Sequence, residues 1–208
     1  MTKNIVFDLD ETIGHFHQII YIMNITGKTT DTSESEVFEL FELFPECFRP
    51  NIFEIFNYLI YLKKHSKIKS VLLYTNNHNN LFINYIISYI HKKLNYTLFD
   101  CIVSFTTTQN KNKNIVDLIK YSNSHLLDNS SICYIDDKEY DAMKNKRLYY
   151  VKCQSYKYKL PSSVIHARLN NNINNNINNN INNNIHNIHS IVSKEILRHI
   201  RLYIIINL

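Results

Sequence analysis

The stretch KNIVFDLDETIGHF, residues 3–16, runs an apolar strand-like segment, Ile5, Val6 and Phe7, directly into Asp8, Asp10, Glu11 and Thr12. Carboxylates crowded at the end of a buried strand raise one another's pKa unless a cation or hydrogen-bond donors compensate. The stretch therefore predicts a cationic partner, and the rest of the chain has to supply that partner's other ligands.

Four later runs share the strand character of residues 3–7: SVLLYT (70–75), DCIVSF (100–105), SICYID (131–136) and LYYVKC (148–153). Helical patterns lie between them. SESEVFELFELF opens with Ser33 and Glu36 in capping-box spacing and carries an apolar stripe of Val37, Leu40, Phe41 and Phe44. Residues 51–65 follow Pro50 and end in lysines that suit a helix C-terminus, and residues 79–94 and 113–127 have the same period. Strands alternating with helices predict an α/β fold around a mostly parallel five-stranded sheet, with its ligand site beyond the carboxyl ends of the strands. Asp8 and Asp10, Thr75 and Asn76, and Asp136 and Asp137 should then meet at one rim.

The 208 residues and 45% hydrophobic content suffice for one core of ordinary size. A formal charge of +5 permits contact with nucleic acid, but no dense basic block argues for it. Cys47, Cys101, Cys133 and Cys153 are widely spaced with no CxxC pair, which reads as free thiols in a reducing compartment. The first strand begins within a few residues of Met1, leaving no room for a signal peptide, and the apolar LYIIINL end is far shorter than the ~20 residues that span a bilayer. The expectation is an intracellular protein, cytoplasmic or nuclear, with no membrane partner. Two glycines and no tryptophan, against abundant Asn, Ile, Lys and Tyr, resemble the coding bias of an A+T-rich genome, which lowers the weight of Lys and Asn counts.

Residues 169–187 repeat Asn-Asn-Asn-Ile, with Ile173, Ile177, Ile181 and Ile185 four apart. Asn is a poor helix former, so the tract reads as a low-complexity linker. Beyond it Ile188, Val192, Ile196 and Ile200 have helical spacing and predict a terminal amphipathic helix that docks on the core or on a partner.

DLDET after an apolar strand, YTNN after the second, a lysine before a helix and YIDDKEYD after the fourth together resemble the four motifs of the haloacid dehalogenase (HAD) superfamily. DLDET combined with FRPNIFEIF (48–56) is similar to the branch of RNA polymerase II C-terminal-domain and NLI-interacting-factor-like phosphatases, and IDDKEYDAM with YYVKCQSYKYKLP looks like relatives carried by large DNA viruses. The resemblance covers roughly residues 3–165. It implies a Rossmann-like phosphatase domain over 1–165 with a short flap or small cap insertion, an Asn-rich linker over 166–187 and a helix over 188–208.

By that resemblance Asp8 is the nucleophile, whose carboxylate attacks phosphorus in line and forms an aspartyl-phosphate. Asp10 projects to the same side if the chain stays extended, and would protonate the leaving oxygen and later activate water. Glu11 is expected to face away, and Thr12 to fix the loop. Asp8, the Asp10 backbone carbonyl, Asp137 and Asp136 would hold Mg2+, a cation suited to hard oxygen ligands, with Asp137 as a direct ligand and Asp136 through water. Thr75 would donate to a phosphoryl oxygen beside the Asn76 amide. A lysine would neutralise nucleophile and phosphate; Lys111 and Lys113 both qualify, and Lys113 is preferred because it adjoins the helix start. Arg49 is assigned to the substrate end, against a surface arginine pairing with Glu46 or Glu54. Asp141, one helical turn past Asp137, would position Lys113 or a loop, or else face solvent. His15 and His17 find no third ligand at metal-site spacing.

The implied activity is Mg2+-dependent hydrolysis of a phosphoprotein. Alternatives are a phosphatase for a small metabolite or a nucleic-acid end, and a non-catalytic phospho-binding scaffold. Residues 14–48 and 104–113 depart from the regions that border the site in the cellular phosphatases, so the substrate stays open.

Overall fold

The computed structural model describes residues 2–28, 32–122, 127, 129–170 and 179–206, with side chains from 186 onward in the last segment. Five strands, β1 (Lys3–Phe7), β2 (Ser70–Tyr74), β3 (Cys101–Val103), β4 (Ser131–Asp136) and β5 (Leu148–Lys152), form one sheet in the order β3-β2-β1-β4-β5. Every pairing is parallel, so the expected mostly parallel sheet is wholly parallel among the described strands. The central strands are buried on both faces, as parallel strands must be when helices cover each side.

Side chains alternate between two cores, following the two-residue period of a strand. Ile5, Phe7, Val71, Leu73, Cys133 and Ile135 join the larger core with α2 (Glu34–Leu43), α3 (Ile52–Lys64), α4 (Asn80–Leu94) and α8 (Asn179–Ile205). Val6, Leu72, Tyr74, Ile132 and Tyr134 face the smaller one, closed by Leu118 of α6 (Ile115–Tyr121) and Met143. The chain leaves β1 toward β2 on one side and returns to β4 on the other. That reversal opens a crevice between the carboxyl ends of β1 and β4, where open α/β sheets bind ligands.

The insertion expected as a flap is helical. α1 (His17–Ile25) and α2 place Ile19, Ile22, Val37 and Phe41 in the larger core, with Phe41 against Tyr89 of α4 at 5.0 Å between ring centroids. The predicted capping box is present at the start of α2, with Ser33 N donating to Glu36 Oε2 at 3.1 Å. α5 (Phe105–Thr108) is a single turn in the region that departs from the cellular phosphatases.

The tail differs from its reading in extent. α7 (Ser162–Leu169) occupies the start of the stretch read as a linker, and α8 begins at Asn179 rather than 188. Residues 171–178 of the Asn-rich tract lie outside the described residues. Extending an anchored helix by a few poor helix formers costs little once its nucleus is fixed by packing. The anchor is Ile196, Ile200 and Tyr203, all buried against the sheet. Tyr203 Oη accepts from Asn4 N at 3.3 Å and lies 2.9 Å from Ser131 Oγ. Lys3 Nζ donates to the carbonyls of Tyr203, Ile204 and Ile206 at 2.7, 2.7 and 2.5 Å, a cationic cap on the helix C-terminus. Of the two docking surfaces expected for this helix, it takes the core. Among the described residues no helix is long and apolar enough to cross a membrane.

Candidate active site

β1 ends at Phe7, but Asp8 N still donates to Ile135 O at 2.9 Å, so Asp8 stands at the last ladder position beside β4. The chain then turns sharply: Glu11 N donates to Gly14 O at 2.7 Å and Ile13 N to Leu9 O at 2.9 Å. Gly14 is needed there, because a Cβ would stand 2.4 Å from the Cys47 carbonyl oxygen. Arg49, 1% exposed, braces the turn from behind. Its Nε donates to Thr12 O at 2.6 Å, and one terminal nitrogen donates to Glu11 O and Gln154 O, both at 2.7 Å. Arg49 is therefore a buried bracket, which corrects both its assignment to the substrate and its alternative as a surface ion-pair partner of Glu46 or Glu54. Glu46 pairs instead with Arg168 at 2.6 Å.

Lys113, also 1% exposed, lies at the centre of the crevice. Its Nζ donates to Asp8 Oδ1 at 2.5 Å and to Asp136 Oδ2 at 2.7 Å. The rings of Tyr74, Tyr134 and Tyr140 surround it at 5.6, 5.8 and 5.6 Å from their centroids. Asp136 also accepts from the Tyr134 hydroxyl on Oδ2 and from Lys138 N on Oδ1 at 2.7 Å. Both its oxygens are thus engaged by protein donors, making it the anchor of Lys113. Lys111 is exposed, and only its carbonyl participates, accepting from Asn76 Nδ2 at 2.8 Å. Geometry therefore selects Lys113 over Lys111.

Asp137 is held by Thr12 and Ser155. Its N donates to Thr12 Oγ1 at 3.0 Å, and Ser155 Oγ donates to its Oδ2 at 2.5 Å. Asp8, Asp136 and Asp137 each offer an oxygen within 4.8 Å of the others, a group that could hold a metal ion. Three carboxylates with no nitrogen or sulfur donor suit a hard cation. One ammonium answers only part of their charge, so the set fits such an ion. The Asp10 carboxylate stands outside that group and accepts from Asn77 Nδ2 at 3.1 Å.

Burial pushes the Asp8 carboxyl up to about 7, against the opposing pull of Lys113. Burial also works to lower the Lys113 ammonium, but Asp8 and Asp136 overcome it and raise it above its ordinary value. The Asp10 carboxyl is raised by burial too, with the Asn77 hydrogen bond acting the other way. Thr75, fully buried, directly follows β2, and its Oγ1 accepts from Asn77 N at 3.1 Å.

Asp8, Asp10, Thr12, Thr75, Lys113, Asp136 and Asp137 are thus gathered at the ends of β1, β2 and β4. The Asn76 side chain ties its loop to residue 111, with Nδ2 donating to the Lys111 carbonyl. Asp141 is not at the site: its exposed carboxylate pairs with Lys144 at 2.6 Å, because a 3₁₀ turn over Asp141–Met143 takes the place of the expected helical turn. Glu11 does not face away, since its Oε2 lies 2.9 Å from Ser155 Oγ. His15 packs its Nδ1 on the backbone of Tyr158. Asn77, Tyr134, Tyr140 and Ser155 escaped the sequence reading. Asn77 lies in YTNN and Tyr134 alternates with Asp136 along β4, so both had a positional signal; Ser155 had none.

The fold and site together define an α/β protein with a buried lysine and a carboxylate cluster at its topological switch point. No family model matches the chain, and no curated protein matches it.

Proposed function

We propose that this protein is a Mg2+-dependent phosphatase of the haloacid dehalogenase type, acting on phosphorylated protein through an aspartyl-phosphate. The observation that carries the reading is Lys113 bridging Asp8 and Asp136 with Asp137 alongside, four groups gathered from three separate parts of the chain. Bound through Asp8, Asp137 and the Asp10 carbonyl, Mg2+ would neutralise phosphoryl charge and orient the phosphate.

Every other function falls to the chain's own residues. Lys113 fixes one oxygen of Asp8 and offsets its charge, and the carboxylate attacks phosphorus as the bond to the leaving oxygen breaks. Asp10, raised by burial, carries a proton to that leaving oxygen. The resulting Asp10 carboxylate then takes a proton from the water that attacks phosphorus, releasing phosphate and restoring Asp8. Thr75 donates its hydroxyl to a phosphoryl oxygen, and Asn77 orients Asp10. Asp136, with both oxygens engaged by protein donors, holds Lys113 and would meet the cation through water.

Purified protein assayed with an aryl phosphate and a phosphopeptide panel, with and without Mg2+, beside Asp8→Asn, tests the reading. Turnover that needs both Mg2+ and Asp8 is expected. Its absence on every substrate would leave the scaffold alternative in possession.

A further inference from the structure

We infer that Ser155 is a positioning residue for cation binding, acting through Asp137; the inference rests on the metal reading above. Ser155 lies just past β5, and both its neighbours are pinned to the turn that follows β1. Gln154 O accepts from Arg49, and Tyr156 N donates to Glu11 O at 2.7 Å. Its Oγ therefore has a fixed place, 2.5 Å from Asp137 Oδ2 and 2.9 Å from Glu11 Oε2.

A serine hydroxyl has one hydrogen and faces two carboxylates here. The shorter contact assigns that hydrogen to Asp137. Glu11 then lies against the hydroxyl oxygen with its charge partly answered by Lys157, whose Nζ is 3.7 Å from the same Oε2. Glu11 reaches this position from a left-handed backbone conformation, φ 64°. For a residue with a Cβ that conformation is strained and persists where its surroundings impose it. Here Arg49, Gly14 and Tyr156 all hold its backbone in place.

The consequence concerns Asp137. Thr12 fixes its backbone from one side, and Ser155 engages Oδ2 from the other, so carboxylate rotation is blocked and Oδ1 is the oxygen left to face a cation. The weak 3.5 Å contact from Thr12 Oγ1 to Oδ1 does not compete for that role. Hydrogen bonds to ligating carboxylates set their orientation, and removing one typically costs 10–100-fold in metal affinity.

The test is Mg2+ titration of the full chain by calorimetry, with no substrate present. Ser155→Ala should raise the Mg2+ Kd by about 10–100-fold, and Ser155→Thr, which keeps the hydroxyl, should restore most of it. The half-saturating Mg2+ for turnover should move by the same factor. In an Asp137→Asn background Ser155→Ala should add little, since the two act as one unit. If circular dichroism shows Ser155→Ala unfolded, Ser155→Cys, close in size and a weak donor, carries the same expectation. Mg2+ affinity lost in Asp137→Asn but unchanged in the serine variant overturns the Ser155 assignment alone. Affinity unchanged in both overturns the metal reading and the assignment with it.

Discussion

Replacing Lys113 with Met removes the ammonium from the crevice while keeping a side chain of similar volume, so no large cavity confuses the outcome. Asp8 and Asp136 then lose their shared partner at 2.5 and 2.7 Å inside a site where all three side chains are almost fully buried. Breaking a buried pair costs about 3–5 kcal/mol when the charge left behind stays ionised. Asp8 already titrates up to about 7 with Lys113 opposing the shift, and without Lys113 it moves higher. A carboxyl raised in the folded state contributes stability that is fully present below its unfolded pKa and lost as pH rises through the folded one. The variant should therefore be weakened less at pH 5, where Asp8 is protonated and only Asp136 loses a charged partner, than at pH 8, where the loss should reach about 3–5 kcal/mol. With a urea slope of about 2 kcal/mol/M, the midpoint at pH 8 should fall by roughly 2 M. Urea titrations in EDTA at the two pH values measure this, and adding Asp136→Asn should recover part of the loss. Equal losses at pH 5 and pH 8, or a loss below about 1 kcal/mol at pH 8, would refute the claim that Lys113 compensates buried charge.

Other consequences are as specific. In the metal-free wild type, stability should decline from about pH 4 to pH 7 as Asp8 ionises, so added Mg2+ should raise Tm more at pH 8 than at pH 5.5. Arg49→Lys should destabilise by on the order of 3 kcal/mol, because one ammonium cannot span the Glu11, Thr12 and Gln154 carbonyls; a raised KM with unchanged Tm would return Arg49 to the substrate. His189, buried on α8 against the Tyr156 ring, is pushed down to about 4 by burial and by Arg49. A depressed pKa gives stability that is present above the unfolded value and lost as pH falls through the folded one. Thermal melts of His189→Leu should accordingly lose less than wild type between pH 6.5 and pH 4, by at most about 3 kcal/mol.

Strands and their terminal carboxylates were readable because a parallel sheet converts a linear pattern into a spatial one. An apolar run that stops at an aspartate delivers that aspartate to the same rim as every other strand end, so Asp8, Thr75 and Asp136 could be grouped from spacing alone. Lys113 needed one more fact, the end of its loop, and only geometry separated it from Lys111. Arg49 failed because nothing local marks burial of a charged residue whose partners are carbonyls 37, 38 and 105 positions away. Asp141 takes the solvent-facing alternative because four-residue spacing places side chains on one face only in an α-helix, and the chain there forms a 3₁₀ turn. Helix α1 was legible and overlooked: Ile19, Ile22 and Met23 have helical spacing and are all buried. The early start of α8 is the converse case, where a docked helix overrides the poor propensity of Asn.

The most direct test of the central claim is chemical capture of the intermediate. Protein mixed with substrate and Mg2+, quenched in acid and digested, should yield a phosphoryl adduct on the peptide bearing Asp8, and none in Asp8→Asn. Turnover with no such adduct, or an adduct that survives Asp8→Asn, would contradict the account.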